Sequence, residues 1–487
     1  MIRKKPAPHL MRGGYRFSEK ESCSNKKIER DDDSKKSHPA LGNSSSDGAA
    51  ARLTVVSLIV FHSGNRLIAR AGSRHGRHHY CRGRDRRIDA GARTLHAAGI
   101  PCRIFESAAE IRPIGVGINL LPHATKELAA LGLEADLARV AIPTQDATFF
   151  NRFGQLIYRE PLGRAAGYEH PQFSIHRGDL QMVLLDAFRA RAGHDRLLTN
   201  HHCIGVEQNE SGVNVDFSDG PAGSHRSTVR GRAAIACDGI NSAIRKQFFP
   251  SEGEPRYSGI NMWRGVTRWK PMLSGASMVR AGWLSHGKMV IYPIRQASGA
   301  DGLQLINWVA EIETETYRKR DWTRPGSIED FIGAFADWHF DWLDVPAFIR
   351  AADSVLEFPM VDQDPLPRWS FGRATLLGDA AHPMVPRGSN GAGQAILDAR
   401  ALASAWLENG DPVAALAAYE KQRLEATTRI VLTNRTNPPD AILREVFQRT
   451  NDQPFAAIED VISRDELLAL SEGYKRIAGY SKDALRP

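Results

Sequence analysis

The segment that most constrains the fold runs from Gly378 to Asp398, where a glycine-rich stretch joins a short apolar run to a helical pattern. The apolar run, residues 374–377, predicts a buried strand. A helix that starts in a glycine-rich loop presents unpaired backbone N–H groups, which stabilise a phosphate, a carboxylate or an electron-rich ring edge. The segment therefore predicts a ligand site at a strand end. The alternative is a tight strand-to-helix connection that binds no ligand.

Two side chains in this segment, Asp379 and His382, are placed to hydrogen-bond a polyol. Pro383 follows them and stiffens the turn before the glycines. The expected ligand therefore has a hydroxyl-bearing part as well as an anionic or electron-rich part.

Composition is that of an ordinary globular chain. Its 487 residues, 42% of them hydrophobic and 25% charged, leave room for two domains with cores. No apolar run approaches the ~20 residues that span a bilayer. The five cysteines are scattered and odd in number, so we predict no disulfide framework and a reducing, cytoplasmic setting.

Positive charge is concentrated near the start of the chain. Residues 1–93 contain 21 Lys and Arg against 9 Asp and Glu, whereas the remaining residues contain 43 against 47. The basic stretch lacks the interleaved aromatic residues that single-stranded nucleic acid requires, so we expect no nucleic-acid partner. Residues 1–52 have almost no apolar periodicity, and residues 1–76 are predicted to be a disordered or non-native extension. The cluster of His75, His78, His79 and Cys81 matches no zinc-module spacing, so no metal site is predicted.

The strand predicted at Cys102–Glu106 ends in a carboxylate. In a dinucleotide-binding βαβ unit, the second strand ends in an acid that binds a ribose, and a strand with Gly-x-Gly-x-x-Gly precedes this acid by about 20 residues. Here that window, Arg77–Arg93, contains neither the strand pattern nor the motif. The alternative for Glu106 is a strand-end carboxylate in water.

A one-base shift of reading frame restores the expected motif. With permitted codons, His78–Cys81 becomes Ile-Ile-Ile-Ala, and Arg82–Arg93 becomes Gly-Ala-Gly-Ile-Gly-Gly-Leu-Thr-Leu-Ala-Leu. This is a buried strand, a glycine loop and a helix start at the required distance before Glu106. We therefore predict that a frameshift has scrambled residues 77–93. The nucleotide sequence is the test of this prediction.

Other positions also have ligand-site character. Gly115 and Gly117 either permit a close backbone approach to a ligand or serve only a turn. Arg177 stands near a predicted helix start, where its charge is unfavourable for the helix dipole, and this favours an anionic partner. The alternative is a solvated arginine. Asp238 and Gly239 follow a buried strand, and ligands of α/β sheets bind at strand ends.

Residues 257–365 differ in kind from the rest of the chain. Antiparallel strands are predicted at 262–267, 288–293 and 303–311, and an aromatic-rich helix is predicted over Phe331–Trp342. This block reads as an inserted substrate domain whose aromatic residues form a core or line a pocket for a flat ligand. One long helix is then predicted from Asp398 to about Asn437, and a helical tail follows.

Taken together, these motifs resemble the single-component flavin monooxygenases that hydroxylate aromatic rings. The shared residues are Glu106, Gly115–Ile118, His176–Arg177, Cys237–Gly239 with Ser242, and Gly378–Asp379 with His382–Pro383. Within that family, Met262–Thr267, Asn307–Val309 and Phe358–Asp362 resemble the phenazine-modifying branch, typified by 5-methylphenazine-1-carboxylate 1-monooxygenase. The resemblance extends from Thr94 to at least Asn434.

The resemblance implies an α/β fold, α+β overall. A Rossmann-like FAD-binding domain is expected in two parts, residues 77–256 and 366–437, around the antiparallel-sheet substrate domain 257–365, with a helical cover at 438–487. By resemblance, Glu106 binds the adenosine ribose, Arg177 contacts the FAD and Asp379 holds the ribityl chain. The other implied FAD-binding positions are Gly117, Asp238, Gly239, Pro383, Gly388, Asn390, Gly391 and Ala392. The family's first glycine motif is absent from this chain as written.

The implied activity is that of an FAD-dependent monooxygenase. NADH or NADPH reduces the FAD, and O₂ then supplies one oxygen atom to an electron-rich aromatic substrate. Because the cofactor carries this chemistry, no catalytic side chain is assigned, and Arg264 and Tyr292 are the substrate-pocket candidates. Two alternatives stay open: a flavin oxidoreductase that does not hydroxylate, and an inactive chain whose damaged nucleotide loop prevents FAD binding. The sequence indicates no oligomeric state.

Overall fold

The computed structural model describes residues 57–61, 98–220, 226–296, 301–315 and 326–486. All of these belong to one compact unit, Ala50–Pro487. The predicted scrambled segment, 77–93, and the cluster between His75 and Cys81 lie outside the described residues.

Strands dominate the described chain up to residue 376. The strands are β1 (Ser57–Phe61), β2 (Cys102–Glu106), β3 (Gly117–Leu120), β4 (Ala141–Pro143), β5 (Asp146–Phe150), β6 (Leu156–Pro161), β7 (Phe173–His176), β8 (Leu197–Leu198), β9 (His202–Asn209), β10 (Gly212–Ser218), β11 (Arg226–Gly231), β12 (Ala234–Cys237), β13 (Arg256–Trp269), β14 (Ser277–Gly282), β15 (Lys288–Arg295), β16 (Gln304–Glu313), β17 (His339–Phe340), β18 (Leu343–Asp344), β19 (Ala352–Asp362), β20 (Ser370–Phe371) and β21 (Ala374–Leu376).

Helices are concentrated after residue 390. The α-helices are α1 (Pro122–Ala130), α2 (Glu134–Ala138), α3 (Arg177–Ala192), α4 (Ala243–Phe248), α5 (Val345–Arg350), α6 (Gly391–Asn409), α7 (Pro412–Thr436), α8 (Ala441–Thr450), α9 (Arg464–Ala478) and α10 (Lys482–Leu485).

A six-stranded sheet has the strand order β20-β21-β12-β1-β2-β8. Its middle strands are short and apolar because both faces are covered: residues 233–236 and Ala374 are fully buried. The predicted strand Cys102–Glu106 is confirmed as β2. β1, Ser57–Phe61, lies within the segment 1–76 that is predicted to be a disordered or non-native extension.

A second sheet has seven strands in the order β19-β13-β16-β15-β14-β5-β6. Three of its strands, β13, β15 and β16, confirm the antiparallel strands predicted for residues 257–365. Two others, β5 and β6, come from residues 146–161, ahead of the predicted substrate domain. β5 joins through a parallel pairing with β14, in which Thr148 lies opposite Val279. A long-range parallel pairing of this kind leaves no local sequence signal.

Two helix predictions are wrong. In place of a helix over Phe331–Trp342, the chain forms short 3₁₀ turns and the hairpin β17–β18, because its aromatic side chains pack inward as one cluster instead of along a helical stripe. The predicted single helix from Asp398 is broken earlier than expected. α6 ends at Gly410, where φ is 68°, and Asp411 caps the new helix by accepting from the Ala414 N–H at 2.9 Å.

The helical tail predicted for residues 438–487 is confirmed. α8 and α9 place Ile442, Val446 and Leu467 against Phe149 and Ile157 of the seven-stranded sheet, in one buried cluster. α9 begins with a capping box between Ser463 and Glu466, which fixes where the helix starts. Within the described residues, no helix has the length and apolar character needed to cross a bilayer.

Candidate functional site

Three predicted site residues lie along one edge of the six-stranded sheet. Glu106 ends β2, Asp238 follows β12, and Asp379 follows β21. β12 and β21 are parallel, and Glu106 and Cys237 both lie opposite Ser57 of the intervening β1. The edge where these carboxylates gather is the carboxyl end of β2, β12 and β21, which is where α/β sheets bind ligands.

Asp379 and Arg177 form the charged centre of this edge. Arg177 is exposed to solvent, yet crowding by protein atoms lowers the pKa of its guanidinium, while Asp379 raises it and Arg264 lowers it. We call the exposed region around Arg177 and Asp379 the cleft. Asp379 is also exposed, and its Oδ1 lies 3.7 Å from the position that a Cβ at Gly391 would take.

The start of α6 faces this pair without a side-chain cap. Its N-cap residue, Asn390, makes no capping hydrogen bond. The Asn390 Nδ2 donates instead to the Tyr474 hydroxyl at 2.8 Å and to the Gly388 carbonyl at 3.1 Å. The first-turn N–H groups, at Gly391 and Ala392, therefore stay available for an electron-rich ligand. Pro383 is buried beneath this loop.

Gly117 joins the cleft to the seven-stranded sheet. Its N–H donates to the Asn307 Oδ1 at 2.7 Å, and its carbonyl accepts from the Arg264 Nη2 at 3.1 Å. A Cβ at Gly117 would lie 2.6 Å from the Tyr292 ring, so glycine is required for packing. Burial raises the pKa of Tyr292, against the opposing effects of Arg264 and Asn119. Both predicted substrate residues therefore lie at the cleft and are held by neighbours there.

The Asp238 side chain contacts the start of α4, whose N-cap residue is Ser242. Its Oδ2 accepts from the Ala243 N–H at 2.9 Å, while its buried Oδ1 has no hydrogen-bond partner among the described residues. Burial raises the pKa of this carboxyl, and hydrogen bonds from Ser242 and from backbone N–H groups act in the opposite direction. Gly239 follows with φ of 72°, a conformation that suits glycine.

The loop after β21 is held from behind by a buried network that the sequence analysis did not predict. The His382 Nε2 lies 2.6 Å from the Asp398 Oδ2, and the Arg423 Nε donates to the Asp398 Oδ1 at 2.8 Å. The same Asp398 accepts from the Gly378 N–H at 3.1 Å. His382 is therefore turned inward, away from the polyol that we had assigned to it. The missed signal was Asp398 itself, an acid on the buried face of α6.

A second buried histidine, His123, lies against the start of α6. Its Nε2 is 3.4 Å from the Gln394 Nε2, and a Cβ at Gly393 would approach it within 3.0 Å. Burial, assisted by the charge of Arg423, lowers the pKa of His123 to about 3. The imidazole is therefore neutral at neutral pH, and it packs in a stack with Tyr480.

This histidine makes stability fall in acid. Because its folded pKa lies below its unfolded value of 6.5, protons favour the unfolded chain below about pH 6.5, and the loss continues to about pH 3. Because of His123, we expect the free energy of unfolding to decrease by about 2 kcal/mol between pH 6.5 and pH 5. The His123→Gln variant should lose this part of the slope in urea unfolding measured across pH. His194→Gln, at an exposed position, should keep it; equal slopes in both variants would contradict the assignment.

A small cavity of about 30 Å³ lies between the seven-stranded sheet and the tail helices, and it reaches the loop before α6 at Gly388. Its wall is partly apolar, with Phe149 and Met278, and partly charged, with Arg280, Glu160 and Lys475. The Arg280 guanidinium lies 5.3 Å from the Phe149 ring centroid, and its Nε is 3.1 Å from the Asp440 Oδ1. The cavity thus combines aromatic and cationic surfaces beside the glycine loop.

One further cation lies near this cavity. The Nε and Nη2 atoms of Arg387 are buried without a hydrogen-bond partner among the described residues. Burial raises the pKa of the Asp440 carboxyl, but the charges of Lys288, Arg280 and Arg387 act in the opposite direction, and the net shift of the pKa is downward. A buried guanidinium without full hydrogen bonding is costly, so an anion at this place would be stabilised.

The described residues suit the flavin and ribityl part of an FAD molecule. Asp379 can accept from ribityl hydroxyls, Arg177 offers a cation in the cleft, and the uncapped start of α6 offers N–H groups to an electron-rich ring. The nucleotide part has Glu106 at the correct strand end. Its buried carboxylate already accepts from the Ala108 N–H at 2.8 Å.

Comparison with known proteins agrees with this geometry. Residues 90–433 match the FAD binding domain family. The chain is 41% identical to the phenazine 1,6-dicarboxylic acid hydroxylase PhzS of Lysobacter antibioticus, over 76% of this chain and 92% of that protein. It is 30% identical to a 6-hydroxynicotinate 3-monooxygenase of Bordetella bronchiseptica, over 75% and 90% of the two chains.

Solved structures share the fold. The Klebsiella pneumoniae HpxO structure with FAD and uric acid aligns with a TM-score of 0.64 and 24% identity, covering 81% of this chain and 93% of that chain. The family match and the relatives confirm the fold and the cofactor that the sequence motifs implied. The chain therefore belongs to the single-component, FAD-dependent aromatic hydroxylases, which are monooxygenases that use NAD(P)H.

Proposed function

We propose that the substrate is a flat, fused-ring aromatic carboxylate of the phenazine class. The observation that carries this proposal is the 41% identity to a protein named as a phenazine 1,6-dicarboxylic acid hydroxylase, over nearly the whole of that protein. The cations Arg280 and Arg387 near the glycine loop support it, since positive charge beside the Phe149 ring suits a planar aromatic acid.

When bound, FAD would supply the redox chemistry, namely hydride acceptance from NADH or NADPH and activation of O₂. The residues of this chain hold and orient the reactants. We assign Asp379 to the ribityl hydroxyls, Arg177 to the cofactor's polar part, Glu106 to the adenosine ribose, and the start of α6 to the ring edge. Gly117, fixed by Asn307, keeps the backbone between cofactor and substrate close-packed.

We assign Arg264 and Tyr292 to the cofactor side of the substrate pocket. Both contact Gly117 or its neighbours, and a side-chain hydrogen bond joins them. Arg280 and Arg387 lie farther along, near Asp440. In this arrangement the carboxylate is held at a distance from the carbon that is hydroxylated, so binding energy orients the ring.

The direct test measures oxygenated product. Purified protein with FAD, NADH or NADPH and isotopically labelled O₂ should add one labelled oxygen atom to a phenazine carboxylate. We expect Arg280→Gln to lower kcat/KM for that acid by about 10- to 100-fold, the worth of one charge-assisted hydrogen bond. The uncharged parent phenazine should lose much less, which separates lost recognition from lost stability. Arg268→Gln, at an exposed position on β13, is the matched control.

Other outcomes would favour other functions. Consumption of NAD(P)H without oxygenated product would favour the non-hydroxylating flavin oxidoreductase. Equal turnover of the acid and the uncharged parent would contradict the carboxylate proposal while leaving aromatic hydroxylation intact.

We also propose a cytoplasmic location, supported by the sparse, odd-numbered cysteines. Among the described residues, no cluster of three or more His, Cys, Asp or Glu side chains is arranged to hold a metal ion.

A further inference from the structure

The strand beside Glu106 runs opposite to the direction that a nucleotide-binding sheet requires. β1 pairs antiparallel with β2 and with β12, so that Ser57 lies opposite Glu106 and Cys237, and Phe61 lies opposite Cys102. β2 and β12 therefore run parallel to each other, and β1 runs against both. In a dinucleotide-binding βαβ unit, the strand at this place is parallel to its neighbours and leads into the glycine loop.

This reversal decides which end of the strand meets the ligand edge. Ser57 lies at the carboxyl ends of β2 and β12, so the chain enters β1 at the ligand edge and leaves it at the opposite edge. The residues next to the ligand edge in sequence are 53–56, Leu-Thr-Val-Val, which include no glycine. A pyrophosphate site needs a strand that leaves at this edge into a helix, whose first N–H groups point at the phosphates. β1 cannot supply such a strand.

We propose that β1 fills, in reverse, the sheet position of a missing first strand, so that the residues which the structure describes provide the flavin half of an FAD site but not the pyrophosphate half. The inference rests on the FAD site assigned above. The flavin half consists of Arg177, Asp379 and the uncapped start of α6. Glu106 lies where the ribose-binding acid of such a site is expected, but β1 does not lead into a phosphate-binding loop beside it.

The amino-acid sequence indicates where the missing unit is encoded. The one-base shift that turns His78–Arg93 into a strand and a glycine loop also turns His75 into Met, provided that His75 is encoded by CAT and followed by the first base of Gly76. One shifted reading therefore supplies a possible initiation codon, a β-branched strand, Gly-Ala-Gly-Ile-Gly-Gly and a helix start, in that order. It rejoins the present frame shortly before the described residue Ile100.

Flavin selectivity tests this proposal on the unaltered protein. We would measure dissociation constants for FAD, FMN and riboflavin from the change in flavin fluorescence on binding. Without a pyrophosphate site, the three constants should agree within about tenfold. With such a site, FAD should bind at least about 100-fold more tightly than riboflavin, because two charge-assisted hydrogen bonds to phosphate are each worth about tenfold or more.

The second part of the test uses a restored chain, in which the first strand and the glycine loop are put back. Residues 1–93 are replaced by Met-Ala-Asp-Ile-Ile-Ile-Ala-Gly-Ala-Gly-Ile-Gly-Gly-Leu-Thr-Leu-Ala-Leu, followed by the chain from Thr94. We expect this protein to retain FAD through gel filtration and to discriminate at least about 100-fold between FAD and riboflavin. Circular dichroism of both proteins checks that each is folded.

The outcomes separate cleanly. Weak or unselective flavin binding by the unaltered chain, with selective FAD binding by the restored chain, supports the proposal. Selective, tight FAD binding by the unaltered chain overturns it, and so does failure of the restored chain to bind FAD. Hydroxylation is not read out here, so a restored chain that binds FAD but oxidises no phenazine acid would count against the proposed substrate alone.

Discussion

Replacing Arg423 with methionine is expected to destabilise the protein by about 3–5 kcal/mol, the usual cost of breaking a buried ion pair from one side. Asp398 is fully buried, and although burial raises the pKa of its carboxyl, attraction to His382 and Arg423 outweighs this and holds the pKa at about 2. Without Arg423, the carboxylate keeps His382 and the Gly378 N–H as partners but loses its 2.8 Å guanidinium contact. Urea unfolding at pH 7.5 measures the loss.

The same substitution should also weaken flavin binding, because Asp398 holds both ends of the turn that carries Asp379. Arg429→Met on the same helix is the matched control. Arg429 is 61% exposed, and its pairing with Glu425 is a surface contact, so we expect a change within about 0.5 kcal/mol. Similar losses in the two variants would show that the buried network does not stabilise the loop.

Substituting alanine for Gly388 should cost about 3 kcal/mol of stability and disturb the flavin loop. The new Cβ would lie 1.9 Å from the Tyr474 hydroxyl, and the φ of 77° is itself unfavourable for alanine by about 1 kcal/mol. To make room, Tyr474 must give up hydrogen bonds to Asn390 and Asn434, each worth about 1 kcal/mol. Thermal and urea unfolding, together with flavin affinity, report these effects.

Two controls separate the collision from backbone strain. Gly410→Ala has a similar φ, 68°, but its Cβ would meet no atom within 4 Å, so about 1 kcal/mol is expected. Adding Tyr474→Phe to Gly388→Ala removes the colliding oxygen and should recover part of the loss relative to the sum of the single changes. Strict additivity would exclude the collision.

The sequence was informative wherever a motif is local. Glu106, Asp238 and Asp379 each follow a short buried strand, and because parallel strands align their carboxyl ends, three separate motifs predicted one edge. Asp379 and His382 look alike in such a motif, since both are polar residues in a tight turn. Only the position of Asp398, 16 residues later on the facing helix, shows that His382 turns inward.

The wrong helix predictions and the unpredicted strand pairing arise where contacts between residues far apart in sequence determine the local structure. The aromatic residues of 331–342 have a helix-like spacing, but they belong to a cluster that also takes Trp263 and Trp308 from the sheet. The pairing of Thr148 with Val279 joins segments more than a hundred residues apart. The helix break at Gly410–Pro412 does have a local signal, since Asp-Pro after glycine is a strong helix-start signal, and it precedes the double proline at 438–439 that we predicted as the break.

The two strands at residues 146–161 have a consequence for how this enzyme can be rearranged. Because β5 and β6 complete the seven-stranded sheet from outside residues 257–365, and α8 and α9 cover that same edge, this sheet and its cover are assembled from three stretches of chain. If residues 257–365 alone were exchanged between relatives, the incoming strands would have to pair with the original β5 and pack against the original α8 and α9. Specificity should therefore transfer between such hydroxylases only when all three stretches move together.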